Sequence, residues 1–511
     1  MKKRNVLTAL AAAAMVLQLV GATAPASAVD PELDYEFTPT SGPQGTKITV
    51  TGTGCPHDAT KARDGVFLLT RDGTNGRPVD FVSNAAGEFT VQYDTVNDPP
   101  GTYLTFGACL NTGKSGPGDP YTVTEPVGST YHPIAPVRLL DTRTGLGAGG
   151  TVSTVGPNGV IDLKVTDVSG IPAAGVKAVV LNVTVADASG PESHLKIWPT
   201  GSPQPETSNL NFTNGVSVPN LVIARVGTGG KVSLRNNVGT VNVIADAQGW
   251  YSDEGTAGSR YVPVNPQRIL DTREAIGAAD AQIGPTGSIE VSVTGVAGVP
   301  ADATAVVLNM TVDDASGPES YLTVWPAGGP KPTASNLNFT SGPATTNLVV
   351  ARVGTGGKVA IYNNAGSTDV IGDIQGWFGP PGSTTGSTFF PTNPARILDS
   401  RNGTGTPGGV VGQLGEQRTI DLTVVGVGGV PATGVTSVVL NVTVADSPGP
   451  ESFLTVFPSG TARPFTSNLN FSAFESVPNL VIVRVNNGKV SIYNNAGSTN
   501  VIADVQGWFK G

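Results

Sequence analysis

Apolar and polar positions along this 511-residue chain alternate in short runs, the period of β-strands with one buried face. Val179-Val180-Leu181-Asn182-Val183-Thr184-Val185 begins continuously apolar and then alternates. Asn220 to Val226 is a second run. It breaks at Gly227-Thr228-Gly229-Gly230 and resumes at Lys231-Val232-Ser233-Leu234, which predicts a hairpin with a glycine-rich turn. A closing strand is expected over Val241 to Tyr251. Near the front, a Pro/Gly turn from Pro39 to Gly45 leads into the alternating Lys47 to Thr51. No amphipathic helical pattern competes, so the fold class expected is all-β.

Much of the pattern recurs. Arg138-Leu139-Leu140-Asp141-Thr142-Arg143 returns at Arg268-Ile269-Leu270-Asp271-Thr272-Arg273 and at Arg396-Ile397-Leu398-Asp399-Ser400-Arg401. Leu181 to Val185 answers to Leu308 to Val312 and Leu440 to Val444, and Gly190-Pro191-Glu192-Ser193 to Gly317–Ser320 and Gly449–Ser452. Ser208-Asn209-Leu210-Asn211-Phe212 recurs from Ser335 and Ser467. Each copy closes on Asp-x-Gln-Gly-Trp-aromatic, at Asp246–Tyr251, Asp373–Phe378 and Asp504–Phe509. The boundaries read are 131–252, 261–378 and 389–509, each copy holding about eight to ten short strands of a β-sandwich or jelly roll. Spacers such as Gly379–Gly386 read as linkers, which predicts beads on a string and copies that fold independently.

Composition adds a compartment. Lys2, Lys3 and Arg4, the apolar Val6–Val20 and Ala26-Ser27-Ala28 form a secretory signal peptide over 1–28, cut after Ala28. No later segment is apolar for long enough to span a membrane as a helix, so no membrane insertion is expected. The last residues, Gln506 to Gly511, carry no apolar tail, so any attachment to a cell would be non-covalent. Net charge is −9 with 14% charged residues, which argues against nucleic acid as a partner. In a secreted chain the two cysteines, Cys55 and Cys109, read as one disulfide.

Repetition also filters the chemistry, because a site built into the module should appear three times. His194 fails, its counterparts being Tyr321 and Phe453, so packing is the better reading. His57 and His132 stand alone, no Gly-x-Ser-x-Gly elbow occurs, and no His/Cys spacing suits a metal. Gly227 to Lys231 lacks the spacing of a phosphate loop and is a hairpin turn. No catalytic residue and no cofactor are therefore expected.

The carboxylates Asp141, Asp187, Glu192 and Asp246 do recur, leaving a paired-carboxylate glycosidase as the enzymatic alternative. Arg138, Arg143 and Arg225 recur beside them. Structural ion pairs are the simpler reading, with Arg138, Asp141 and Arg143, Arg268, Asp271 and Arg273, and Arg396, Asp399 and Arg401 as the candidates. Trp198 and Trp325 share a slot with Phe457, while Trp250, Trp377 and Trp508 share the closing slot. On a regular strand Ile244, Asp246, Gln248 and Trp250 fall on one face, a kit for stacking and hydrogen-bonding a sugar as well as for a core tryptophan. Trp250, Trp377 and Trp508 with Asp246, Asp373 and Asp504 are thus the candidate ligand-binding residues. The Asn-x-Thr asparagines Asn182, Asn211, Asn309, Asn338 and Asn441 read as polar groups of strands and edges.

On its Pro39–Gly52 turn and strand, Gly101-Thr102-Tyr103-Leu104 before Cys109, and Tyr121–Thr124, the segment 31–125 resembles a bacterial immunoglobulin-like domain. The three copies, on Arg-x-Leu-Asp-Thr-Arg, Leu-Asn-Val-Thr, Asn-Leu-Asn and Asp-x-Gln-Gly-Trp, resemble a secreted module of actinobacteria that occurs in tandem or appended to secreted hydrolases. That resemblance implies an extracellular or cell-surface accessory role. The function expected is non-enzymatic, multivalent binding or adhesion to polysaccharide or a cell-wall polymer; a purely structural spacer is the alternative, and a glycan-acting hydrolase comes third.

Overall fold

Residues whose apolar side chains alternate make one-faced strands; residues apolar on both faces must be covered twice. Both kinds occur in the computed structural model, which describes residues 33–511 apart from 44–45, 72–73, 76–77, 96–97, 99, 125–126, 216 and 253–257. The signal peptide expected over 1–28 lies outside the described residues. The chain divides into two compact units, one ending at Val127 and one beginning at Gly128.

The first unit is an immunoglobulin-like sandwich. Its strands are β1 (Asp34–Thr38), β2 (Ser41–Pro43), β3 (Lys47–Thr53), β4 (Gly65–Arg71), β5 (Thr74–Asn75), β6 (Val79–Phe81), β7 (Phe89–Asp94), β8 (Gly101–Cys109) and β9 (Ser115–Thr124). One sheet runs β1-β3-β7; the other runs β2-β9-β8-β4-β5, with β6 also on β4. Phe89, Val91 and Tyr93 alternate inward along β7 and meet Ile48, Phe67 and Tyr103 in the core. Cys55 and Cys109 are disulfide-bonded. Beside them the buried Asp64 carboxylate accepts from His57, the Asp58 and Ser83 amides and Asn111 at 2.7–2.9 Å. The His57 hydrogen bond is the main cause holding this carboxyl far below its usual range.

Each copy of the second unit is an eight-stranded jelly roll. In the first copy the strands are β10 (Thr130–Asp141), β11 (Val160–Lys164), β12 (Val176–Ser189), β13 (Ser193–Pro199), β14 (Leu210–Phe212), β15 (Val218–Arg225), β16 (Lys231–Asn236) and β17 (Thr240–Ser252). They form two four-stranded sheets, β10-β17-β12-β15 and β11-β16-β13-β14, an order repeated in both other copies. β15 and β16, expected to pair as a hairpin, lie in opposite sheets, because the glycine turn between them carries the chain across the sandwich: β15 pairs with β12, and β16 with β11 and β13. Gly230 sits there at φ +71°, where a Cβ would lie 1.9 Å from Thr166 Oγ1.

The copies are not beads on a string. Residues of all three enter one apolar cluster, which explains the continuously apolar start of β12: Val179, Leu181 and Val183 face the sandwich interior, while Ala178 and Val180 face the neighbouring copies. Six aromatic rings, two per copy, close a circuit at its centre. Tyr131 meets Tyr251 (5.0 Å), Tyr251 meets Phe389 (4.5 Å), and Phe389 meets Phe509 (5.0 Å). Phe509 meets Tyr261 (4.6 Å), Tyr261 meets Phe378 (5.3 Å), and Phe378 returns to Tyr131 (4.4 Å). Backbone bridges Ser129–Phe389, Tyr131–Ser259 and Tyr261–Ser387 bind the strand starts to one another. The spacer read as a free linker is held as well, Gly379 N donating to Arg260 O and Gly382 N to Gly258 O.

Buried asparagines repeat the cyclic order. Asn182 Nδ2 donates to Ser335 O, Asn309 Nδ2 to Ser467 O, and Asn441 Nδ2 to Ser208 O. A second set answers in the opposite sense: Asn347 to Asn182, Asn479 to Asn309, and Asn220 to Asn441, at 2.8–3.1 Å. Asn220, Asn347 and Asn479 each donate also to a carbonyl of their own copy, so the pairs tie each boundary to the strands on either side and fix its register.

Candidate functional site

The closing strand departs from the regular alternation the sequence reading assumed. In β17, Ala247 pairs with Leu181 and Gly249 with Val180, so Gln248 is an inserted residue, a β-bulge. Gln375 and Gln506 occupy the same break in the other copies. Up to Ala247 the odd-numbered residues Val241, Val243 and Ala245 face the sandwich core; beyond the bulge Trp250 does so, and Tyr251 faces the central cluster. Trp250 therefore does not share a face with Asp246. A one-residue insertion reverses the parity of every side chain that follows it.

The three tryptophans are packing residues. Trp508 is 5% exposed and stacks on Phe390 at 3.9 Å; Trp250, half-buried, stacks on His132 at 3.8 Å; Trp377, half-buried, packs on the core of its own copy. Trp508 has no open ring, and Trp250 gives one face to His132. Asp246, Asp373 and Asp504 are buried as well and are held by arginine. For these six, expected as candidate ligand-binding residues, the packing and the arginine pairing favour the structural reading.

Their charge network shows how the Arg-x-Leu-Asp-Thr-Arg motif works. Arg138 grips Asp246 through Nε (2.9 Å) and Nη2 (3.2 Å) and reaches Asp141 through Nη1 (3.2 Å). Arg143 closes on Asp141 through Nε and Nη2, both at 2.9 Å. The second and third copies repeat this with Arg268, Asp271, Arg273 and Asp373, and with Arg396, Asp399, Arg401 and Asp504. Burial pushes the Asp246 carboxyl up, and Arg138 offsets this only in part. Burial acts the same way on Asp141, but the hydrogen bonds and charge of Arg143 outweigh it and hold that carboxyl low. Thr142 adds a clamp to β17, donating to Asn242 Oδ1 (2.9 Å) and accepting from Val243 N (3.1 Å).

Asp246 Oδ2 also accepts from Ser335 N of the second copy (3.2 Å), so the network stands at a seam between copies. Gln248 Oε1 accepts from Val350 N there, and Glu319 Oε1 and Glu451 Oε1 take the amides of Ser217 and Ala344 across the seams. Sequence reasoning placed Asp246 and Gln248 on the closing strand and the Glu192 position among the recurring carboxylates, and nothing local marks any of them as lying at a seam.

Between the first and third copies the seam opens into a groove of about 420 Å³. Glu192, His194, Lys196 and Glu206 line one wall, Arg396 and Arg401 the other. Asn211 Nδ2 crosses to Ser476 Oγ at 2.9 Å. His194 thus reaches a surface cleft, although the repeat filter set it aside. The signal that finds it is the reverse of repetition: the first copy departs from the others at His194, Lys196 and Glu206 together. Among the described residues no cluster of His, Cys, Asp and Glu is suited to a metal.

No family model and no curated protein matches the chain. Among solved structures it is similar to a carbohydrate-binding module of the β-sandwich superfamily (13% identity over 43% of this chain and 97% of that one, TM-score 0.13). It is also similar to a triple-jelly-roll protein of an archaeal virus (10% identity, 75% and 90% covered, TM-score 0.15). A third is SGBP-B from a xyloglucan utilization locus of Bacteroides uniformis (9% identity, 68% and 100% covered, TM-score 0.13). At such TM-scores none of these likenesses carries an inference about ligand.

Proposed function

We propose that this chain is a secreted, non-enzymatic binding protein of the extracellular or cell-surface space, recognising polysaccharide or a cell-wall polymer. One observation carries the reading: the three copies are locked into a single ring whose seam opens into a polar groove, about 420 Å³ in size. Small-ligand sites occupy roughly 300–1,000 Å³. The lining alternates donors and acceptors, the chemistry that holds hydroxyl groups. The Cys55–Cys109 disulfide fits an oxidising compartment. Among the described residues no helix is long and apolar enough to cross a membrane. The recurring carboxylates at Asp141 and Asp246 are spent on arginine, which weakens the paired-carboxylate alternative.

The test is depletion of the mature protein from solution by insoluble polysaccharides and isolated cell walls. Retention on at least one, competed by soluble fragments of the same polymer, is the expected result. Recovery of all the protein in the supernatant of every polymer would leave the purely structural reading.

A further inference from the structure

We infer that the seam between the first and third copies is the saccharide site of this protein, and that it takes a neutral, polyhydroxylated sugar chain. The inference rests on the carbohydrate-binding reading above and adds a place and a ligand class. Three positions distinguish this seam. His194 stands where the other copies have Tyr321 and Phe453, Lys196 where they have Thr323 and Thr455, and Glu206 where they have Thr333 and Phe465.

Lys196 is the informative residue. Thr323 and Thr455 turn their hydroxyls back onto Ala334 O (2.7 Å) and Thr466 O (2.8 Å), closing the position within their own copies. Lys196 is 8% exposed and gives one N–H to Pro205 O at 2.9 Å. An ammonium has three protons to place, and Pro205 O takes one of them. This ammonium lines a groove with room for a further partner.

The fixed charges select the class of ligand. Arg396 and Arg401 are committed to Asp399 and Asp504, which leaves Lys196 facing Glu192 and Glu206. An anionic polymer meets the two glutamates, and a cationic one meets the lysine and arginines. A hydroxyl group accepts from the cations and donates to the carboxylates, so a neutral sugar satisfies both sets.

A second observation comes from the third copy's loop. Phe474 is 81% exposed at φ +61°, where the first two copies have Gly215 and Gly342. A bulky residue in the left-handed region is strained, and an exposed ring held there gains nothing from the core. It stands two residues before Ser476, which lines the groove. Such a ring supplies the apolar face on which a pyranose stacks.

The experiment is calorimetric titration of the full mature chain with cellohexaose, xylohexaose, laminarihexaose and chitohexaose, with oligogalacturonate as the charged comparison. At least one neutral oligomer should bind. Lys196→Thr and Phe474→Gly, each of which copies another seam, should weaken it about ten-fold or more, the loss of a hydrogen bond from a charged donor or of a stacking ring. The thermal midpoint should fall for neither, and Phe474→Gly relieves strain. Undiminished binding in both variants would overturn the site while leaving the binding reading intact. Binding of oligogalacturonate alone would overturn the ligand class. Absence of binding to every saccharide by the unaltered chain would overturn the inference together with the reading beneath it.

Discussion

Trp250 and Trp508 hold the same place in their copies and differ in exposure because of one neighbour. His132 covers the first ring and Phe390 the second, and the larger apolar cover leaves Trp508 5% exposed. Truncating a buried tryptophan removes its transfer energy and leaves a cavity, together about 3–5 kcal/mol. Trp508→Ala should therefore lower the stability of the second unit by about that much in denaturant titration, and Trp250→Ala by less. Equal and negligible effects from both would contradict their placement in the sandwich cores. The residue scale also explains the Thr/Ser alternation at Thr142, Thr272 and Ser400. The position needs only a hydroxyl, which in each copy donates to a polar side chain near the start of the closing strand, Asn242, Asp369 or Asn500.

Among the elements, the closing strand does the most. Its first half carries the aspartate that Arg138 grips, its bulge reverses the faces, and its second half supplies one ring to the sandwich and one to the centre. The pair it makes is not by itself a source of stability, since two charges lose their water to form it. Removing only one partner is different, because the other stays buried and uncompensated. Arg138→Ala should cost about 3–5 kcal/mol at neutral pH. Asp246 already titrates above its ordinary value in the folded chain, and losing Arg138 raises it further. A folded carboxyl pKa above the unfolded one gives stability that is fully present below the unfolded value, about 3.9, and is lost as pH rises through the folded value. The deficit of Arg138→Ala should accordingly shrink as pH is lowered toward 4, to be followed by urea titration across that range. A deficit independent of pH would mean that Asp246 is not the group left stranded.

For the whole molecule, the ring makes the copies interdependent. A single copy in isolation would expose the face bearing Tyr261, Val307, Leu348, Val350 and Phe378, all at most 2% exposed in the assembled unit. A contiguous apolar face of that kind drives association. The segment 261–378 alone should sediment as a trimer or larger species, whereas the second unit intact should unfold in one transition. A monomeric, cooperatively folding single copy would show that the centre of the ring is dispensable, as the reading of the spacers as linkers implied.

The sequence by itself determined what depends on neighbours along a strand or on arithmetic. The period of two set the strands, five recurring landmarks set the copies, and two cysteines left one pairing. Recurrence of arginine with aspartate was legible as ion pairing because a chain poor in charge has few other uses for it. Tertiary structure decided the rest. The face of Trp250 depended on a bulge, which inserts one residue into a period of two and shows only in the partner register. Ring closure depended on contacts such as Asn220 to Asn441 and Tyr251 to Phe389, between residues far apart in sequence whose types also suit a strand edge or a private core. The groove depended on both, because a seam exists only once the copies meet. Its distinguishing residues, His194, Lys196 and Glu206, are those that a search for repetition discards.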